Sequence, residues 1–207
     1  MNIEDIFKRI NQHPPTILGS ESFAKFSVLL PLMEKNNEIH VLFEVRSRQL
    51  RRQPGEICFP GGKIDKKDSS AEAAAIRETT EELGIGKEQI SNVYPLDYLV
   101  SPFGMVIYSH VGFIKRPSLI KANHAEVEEI FTVPLSFFLK HKPEIHLIHT
   151  KLEPEESFPL HLIPGGENYN WRTRSIEEFF YIYDQKVIWG LTARILAHFV
   201  EVLKANR

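Results

Sequence analysis

The chain has a single cysteine, Cys58, in 207 residues. One thiol excludes an internal disulfide and any zinc module built from several cysteines. A basic excess is missing too: 25 Lys and Arg stand against 27 Asp and Glu, a net charge of −2. A chain whose main task is coating nucleic acid would be strongly basic, so no nucleic-acid partner is expected. No apolar run approaches the ~20 residues that cross a bilayer. The opening MNIEDIFKRI lacks the basic-then-apolar order of a signal peptide. These absences lead us to expect no membrane partner and a cytoplasmic protein. What is present is ample core material, 43% hydrophobic with 14 Phe, which excludes wholesale disorder. The length suits one domain over 1–207.

Hydrophobic periodicity gives the coarse organisation. Ile3, Ile6, Phe7 and Ile10 fall at helical spacing before Pro14 and Pro15, so 1–20 is read as a helical appendage that packs as a lid. Strands are expected at 26–33 and 39–46, joined by a hairpin with Asn36-Asn37 at its tip. Pro31 implies an edge position or a bulge in the first of them. A short strand at 57–59 ends in Pro60-Gly61-Gly62. The clearest helix spans 70–83, capped by Ser69 or Ser70 with Glu72 near a capping-box position, and ended by Gly84. Strands are expected at 91–100, 105–114 and 127–131, and a helix starts near Leu135. Residues 141–178 read as a variable, loop-rich region with short strands around IHLIHT and FPLHLI. A strand at 179–183 and a final helix over about 189–204 close the chain. Trp189 and that helix suit domain packing or a subunit interface, so a homodimer stays open. The fold class is α+β, with a mixed β-sheet packed between helices.

The run Arg77-Glu78-Thr79-Thr80-Glu81-Glu82 carries the chemistry. At about 100° per residue, Glu81 lies about 60° from Glu78 and Glu82 about 40° from it on the other side. The three carboxylates share one helix face, with Ile76, Thr80 and Leu83 on the core side. Ala71 and Ala74 above the carboxylates leave room for a pocket or a close loop. Such a face can be merely solvated. Yet like charges at this spacing cost a few tenths of a kcal/mol, and the helix C-terminus disfavours them. A bound divalent cation offsets both costs, and hard oxygen ligands suit Mg²⁺ or Mn²⁺.

Two neighbouring features strengthen that reading. Gly61 and Gly62 allow close backbone approach, and a carbonyl in their turn can complete a metal shell. Arg46, Arg48, Arg51 and Arg52 crowd the segment upstream, and Lys63 follows the glycine turn. They read either as a solvated basic loop or as a clamp for phosphate oxygens, for which the guanidinium fork is suited. Cations facing a metal-binding carboxylate cluster are what a diphosphate ester needs. Cys58 alternates with Ile57 and Phe59 and is expected to pack. The nine histidines show no metal-binding spacing. Phe103-Gly104-Met105 reads as a strand start or as an apolar wall of a site.

At this point a resemblance emerges. Gly62 to Ile85 resembles the Nudix box, with Arg77-Glu78 and Glu81-Glu82-Leu83-Gly84-Ile85 in register. The interval from Gly62 to Arg77 is one residue too long. The first glutamate of the box is missing, with Asp68, Ser69 or Ser70 near its place, and Thr79 replaces an aliphatic residue. Leu42 to Gly62 resembles the motif of the coenzyme A pyrophosphatase subfamily. Arg46, Ser47, Arg51, Gly55, Phe59, Pro60, Gly61 and Gly62 fall in register, while Phe43 and Glu44 stand where that motif has Leu and Thr. The segments SPFGMVIYSHVGFI, EVEEIFTVPLSFFL and VIWGLTARIL are similar to the subfamily as well. Residues 141–178 match nothing.

The resemblance implies a Nudix fold, an α/β/α sandwich, and Mg²⁺- or Mn²⁺-dependent cleavage of coenzyme A or acyl-coenzyme A. The products would be 3′,5′-adenosine bisphosphate and (acyl-)4′-phosphopantetheine. It implies metal ligation by Glu78, Glu82, Glu81 and Gly61, and a water-orienting or basic role for Glu78 or Glu81. Glu126, Glu128 and Glu129 are candidates for a later basic carboxylate. Arg77 would orient a carboxylate, and Arg46, Arg51 and Lys63 would meet substrate phosphates. Two alternatives stay open: the same chemistry on ADP-ribose, NADH or another nucleoside diphosphate derivative, and a non-catalytic nucleotide- or protein-binding module.

Overall fold

The computed structural model describes residues 1–205. Helix α1 (Ile3–Asn11) is followed by strands β1 (Ala24–Lys35) and β2 (Glu38–Arg46). Asn36 and Asn37 take φ of 53° and 60° between Lys35 and Glu38, which pair directly. This is the two-residue hairpin turn that Asn tolerates. Short strands β3 (Ile57–Cys58) and β4 (Gly61–Lys63) lead into helix α2 (Ala71–Leu83). Then come β5 (Ile90–Pro95), β6 (Leu99–Ser101), β7 (Met105–Ile114), β8 (Val127–Pro134), α3 (Leu135–Lys140), β9 (Glu144–Thr150), β10 (Arg174–Tyr183), β11 (Lys186–Trp189) and α4 (Gly190–Lys204).

The main sheet runs β3-β2-β1-β7-β5, with β4 on β1, β6 on β7 and β8 on β2. Only β1 and β7 pair in parallel, so the sheet is mixed. Strand alternation sends successive side chains to opposite faces. Leu29, Met33 and Leu42 pack with Ala75 and Leu83 of α2. Leu30, Val41 and Phe43 pack with Phe138 of α3 and Leu196 and Phe199 of α4. The result is helix, sheet, helix. Phe43 anchors the second layer, its ring centroid 5.2 Å from Phe59 and 5.4 Å from Phe131; full burial of such a side chain contributes about 1.5–3 kcal/mol. A second sheet, β11-β10-β9, stands beside it, with Tyr181 and Ile188 in the same core.

Several expectations are corrected. Pro31 lies neither on an edge strand nor at a bulge: β1 is interior, and Pro31 pairs with Gly112 of β7. It is tolerated because β1 changes partner on its other side. β4 pairs with Phe26–Val28 and the pairing with β2 begins at Leu32, so Pro31 falls in the gap. Helix α1 has an Asn2–Asp5 capping box but no buried residue, and Ile3, Phe7 and Ile10 are exposed. It does not pack as a lid. The 91–100 segment is two strands, broken at 96–98, and FPLHLI forms a 3₁₀ turn at Leu160–Leu162 rather than a strand. IHLIHT does lie in a strand, β9, and FFYIY in β10.

Candidate active site

Helix α2 begins where Ser70 Oγ accepts the Ala73 N–H at 3.0 Å, and it ends at Gly84 with φ 60°. Glu72 takes no part in that cap. The buried stripe is Ala74, Ala75, Thr79, Glu82 and Leu83, so the helix is rotated from the expected orientation. Thr79, not Thr80, is in the core. Its hydroxyl donates to the Ala75 carbonyl at 2.7 Å, which satisfies a polar group at a position where an aliphatic residue is usual. Ala74 is buried too. The Ala71 carbonyl accepts the Ser27 hydroxyl at 2.6 Å, so these small residues admit strand β1 rather than leave a pocket.

The same rotation separates the three glutamates. Glu82 is 3% exposed, and its Oε2 accepts the Gly61 N–H at 2.8 Å. Glu78 is half-buried with its carboxylate against Gly62, so a side chain at 62 would displace that carboxylate. Glu81 has a 54% exposed side chain turned to Arg77, and it does not line the cavity that Glu78 and Glu82 enter. Arg77 reaches Asp68 through Nε and Nη2, both at 3.0 Å, as well as Glu78 at 2.8 Å and Glu81 at 3.3 Å. Asp68 thereby acts on Arg77 from the place where the first glutamate of the box is missing. Arg77 Nη2 also donates to the Lys63 carbonyl at 3.3 Å.

A residue without an assigned role completes the carboxylate cluster. Leu42 packs with α2, and Glu44, two residues on in the strand, shares its face. Glu44 is 1% exposed and lies opposite Cys58 in the β2–β3 ladder. The Cys58 thiol donates to Glu44 Oε1 at 3.3 Å, and Oε2 has no protein partner. Burial pushes the Glu44 carboxyl up, and burial together with Glu44 pushes Glu82 up, against the Gly61 hydrogen bond. Glu78 is also raised by burial, partly opposed by Arg77. Burial and Glu44 raise the Cys58 thiol, which therefore stays protonated and is no nucleophile. The signal for Glu44 was its position: a carboxylate within the buried run Val41–Val45, whose other residues are apolar.

The loop after β7 closes the cluster. The N–H groups of Lys121 and Asn123 donate to the Leu83 and Glu82 carbonyls, both at 2.9 Å. They satisfy orphan carbonyls of α2 and carry Glu126 into the cavity. Ser47 N–H fixes it by donating to the Glu126 carbonyl at 2.8 Å. Glu128 and Glu129 lie elsewhere, paired with Arg48 and Lys186.

The cavity holds about 790 Å³. Glu78, Glu82 and Glu126 line it with Gly61, Gly62, Lys63, Arg46 and Arg52. Arg51, read from sequence as a phosphate contact, is exposed and outside it; Arg52 and Gln53 take that place. The loop turns back at Gln53 (φ 52°) and Gly55 (φ 76°), tied to Arg46 by two backbone hydrogen bonds. No periodicity predicts that reversal. Phe26, Val28, Met105 and Ile107 form an apolar wall, so Met105 serves both as strand start and as lining, while Phe103 points to solvent. Trp189 is not covered by packing. It is 40% exposed and lines this cavity. Among the described residues no three His, Cys, Asp or Glu side chains stand close enough to enclose an ion as placed. The donor chemistry nonetheless fits one: carboxylates raised first by burial and then by neighbouring carboxylates, with Glu44 Oε2 unpartnered.

Comparison with known proteins agrees with the resemblance. The NUDIX domain family model matches residues 25–154. The peroxisomal coenzyme A diphosphatase NUDT7 of Mus musculus is 37% identical over 137 residues, 66% of this chain and 57% of its own length. The peroxisomal coenzyme A diphosphatase ndx-8 of Caenorhabditis elegans is 42% identical over 150 residues, 68% of this chain and 59% of its own. The chain thus spans under two thirds of those two relatives. The uncharacterized Nudix hydrolase NudL of Photorhabdus laumondii is 32% identical, covering 88% of this chain and 87% of its own. A MutT/nudix family protein from Enterococcus faecalis shares the fold at TM-score 0.50 and 18% identity, over 98% of this chain and 70% of that one. No helix among the described residues is long and apolar enough to cross a membrane.

Proposed function

The chain belongs to the NUDIX domain family, and we propose that it hydrolyses the diphosphate bond of coenzyme A or acyl-coenzyme A. One observation carries the reading: Glu78, Glu82 and Glu126 line a single cavity together with Arg46, Arg52 and Lys63. Carboxylates able to hold a divalent cation, together with cations free to meet phosphate, match a substrate whose diphosphate is itself a dianion. None of the three cations has a carboxylate partner within salt-bridge distance among the described residues. They remain available to phosphate oxygens. The two relatives named as coenzyme A diphosphatases support this choice of substrate.

In this reading Glu78 and Glu82, with the Gly61 carbonyl, would hold Mg²⁺ or Mn²⁺, which would neutralise phosphate charge and make water a better nucleophile. Glu126 accepts the proton of the attacking water from the loop side. Glu81 sits outside the cavity, holding Arg77, which in turn orients Glu78. Arg46 and Arg52 grip the diphosphate with fork-shaped hydrogen bonds. The cytoplasmic expectation stands beside two relatives named as peroxisomal, and cell fractionation decides between the compartments.

The test is the 3′-phosphate. Turnover of coenzyme A and of its 3′-dephospho form are compared at equal Mg²⁺. A charge-assisted contact contributes about 1.5–3 kcal/mol, so the dephospho form should lose about tenfold or more in kcat/KM. Equal efficiency, or better turnover of ADP-ribose, overturns the coenzyme A assignment.

A further inference from the structure

A second cavity, of about 590 Å³, adjoins the first. Glu56, Ile57 and Trp189 line both, so the two meet at that tryptophan. Its far wall belongs to the second sheet. Phe180 and Trp189 are directly opposite in the β10–β11 ladder, with rings stacked at 6.0 Å and 14°. Val187, next but one to Trp189 in β11, faces the same space. Resting on the diphosphatase reading above, we propose that this groove is the subsite for the uncharged, amide-containing arm of the substrate, the pantetheine chain and any acyl group on it.

The charge pattern selects that arm over the nucleotide. Two cations line the groove, and both are already paired: Arg48 with Glu128, and Lys186 with Glu129. Glu56 adds a third carboxylate, so the groove offers an anion no cation that lacks a carboxylate partner. A dianionic 3′-phosphate finds no free guanidinium or ammonium there, whereas an uncharged chain needs none. The cations without carboxylate partners, Arg46, Arg52 and Lys63, all lie in the first cavity. A diphosphate ester has two arms. With the diphosphate beside Glu78 and Glu82, one arm stays with those cations, and the other passes Trp189 onto the stacked pair. Aromatic faces bury large area with few rotatable bonds, which suits a flexible chain whose own ordering is costly. Gln185, also in the lining, supplies an amide to pair with the amides of the arm.

The experiment uses the two products as probes, because each carries one arm. Binding of 4′-phosphopantetheine and of 3′,5′-adenosine bisphosphate is measured by calorimetry on the full chain with Mg²⁺, for the wild type, Trp189→Ala and Val187→Trp. The first variant removes the aromatic platform and the second fills the groove. Melting temperatures and far-ultraviolet circular dichroism identify any variant that has lost its fold. At least one folded variant should bind 4′-phosphopantetheine about tenfold more weakly, the equivalent of about 1.4 kcal/mol, with a far smaller change for the adenosine product. Equal weakening of both products, or weakening of the adenosine product alone, overturns the subsite. So does unchanged binding of both. Selective loss in a protein that fails to cleave coenzyme A supports the subsite while refuting the substrate assignment, so the two claims fail separately.

Discussion

The backbone N–H of Gly61 donates to Glu82 Oε2 at 2.8 Å. That bond joins the glycine turn to the acidic helix across the mouth of the cavity. It holds a nearly buried carboxylate in one orientation. Glu82→Gln keeps an oxygen for this bond and removes the charge. We predict a folded protein whose metal-dependent turnover falls by more than the ~10–100-fold typical of losing an outer-shell partner of a metal ligand. Steady-state kinetics with Mg²⁺ titration checks it. Full activity would remove Glu82 from the site.

The carboxylates at 44, 78 and 82 are all raised from their ordinary value of 4.5, first of all by burial. Between about pH 4.5 and those raised values, the native state keeps protons that the unfolded chain has released. Stability of the metal-free protein therefore falls as pH rises through that window, and is greatest below it. Glu82→Gln should melt higher than the wild type near pH 8 in chelator, by about 2–4 °C for each kcal/mol gained in a chain of this size. The gap should close near pH 4.5. Thermal melts across pH check this. A variant that melts lower at pH 8 would contradict the claim that burial and charge repulsion dominate at Glu82.

Arg77 is forked onto Asp68 and touches Glu78, so it positions rather than binds. Arg77→Lys loses the fork. We expect kcat to fall by about 10–100-fold with little change in KM, and Asp68→Asn to behave similarly. A rise in KM alone would mean that Arg77 contacts substrate.

Arg51 and Arg52 are adjacent, yet only Arg52 lines the cavity. Arg52→Ala should raise KM by about tenfold or more, the loss of a charged hydrogen bond. Arg51→Ala should stay within about twofold, as surface changes usually do. Kinetics on the pair checks it, and the reverse pattern would restore the phosphate contact read from the sequence motif.

The layers of this fold were legible because apolar alternation and helical period are strong local signals. Asn36-Asn37, Ser70 and Gly84 marked their boundaries by turn and cap chemistry. The family was legible in Arg77 to Ile85 and in the run ending Phe59-Pro60-Gly61-Gly62. What stayed hidden depends on tertiary placement. Helical spacing put Glu78, Glu81 and Glu82 on one face but did not fix how α2 rolls on the sheet, and that roll buries Glu82 and Thr79 while leaving Glu81 in solvent. Pro31 misled because its tolerance rests on where β4 ends and β2 begins. Glu126 reaches the cavity only because the 121–126 loop caps α2. Glu44 carried a readable signal, a carboxylate at an inward strand position, that became chemistry only once Cys58 and Glu82 stood beside it.

The most direct test of the central claim is mass-resolved product analysis after incubation with coenzyme A, ADP-ribose and NADH, with Mg²⁺ and separately Mn²⁺, in heavy-oxygen water. The account predicts selective formation of 3′,5′-adenosine bisphosphate and 4′-phosphopantetheine, one of them carrying a single heavy oxygen. Intact coenzyme A beside efficient cleavage of ADP-ribose or NADH, or no cleavage of any of the three, would contradict it.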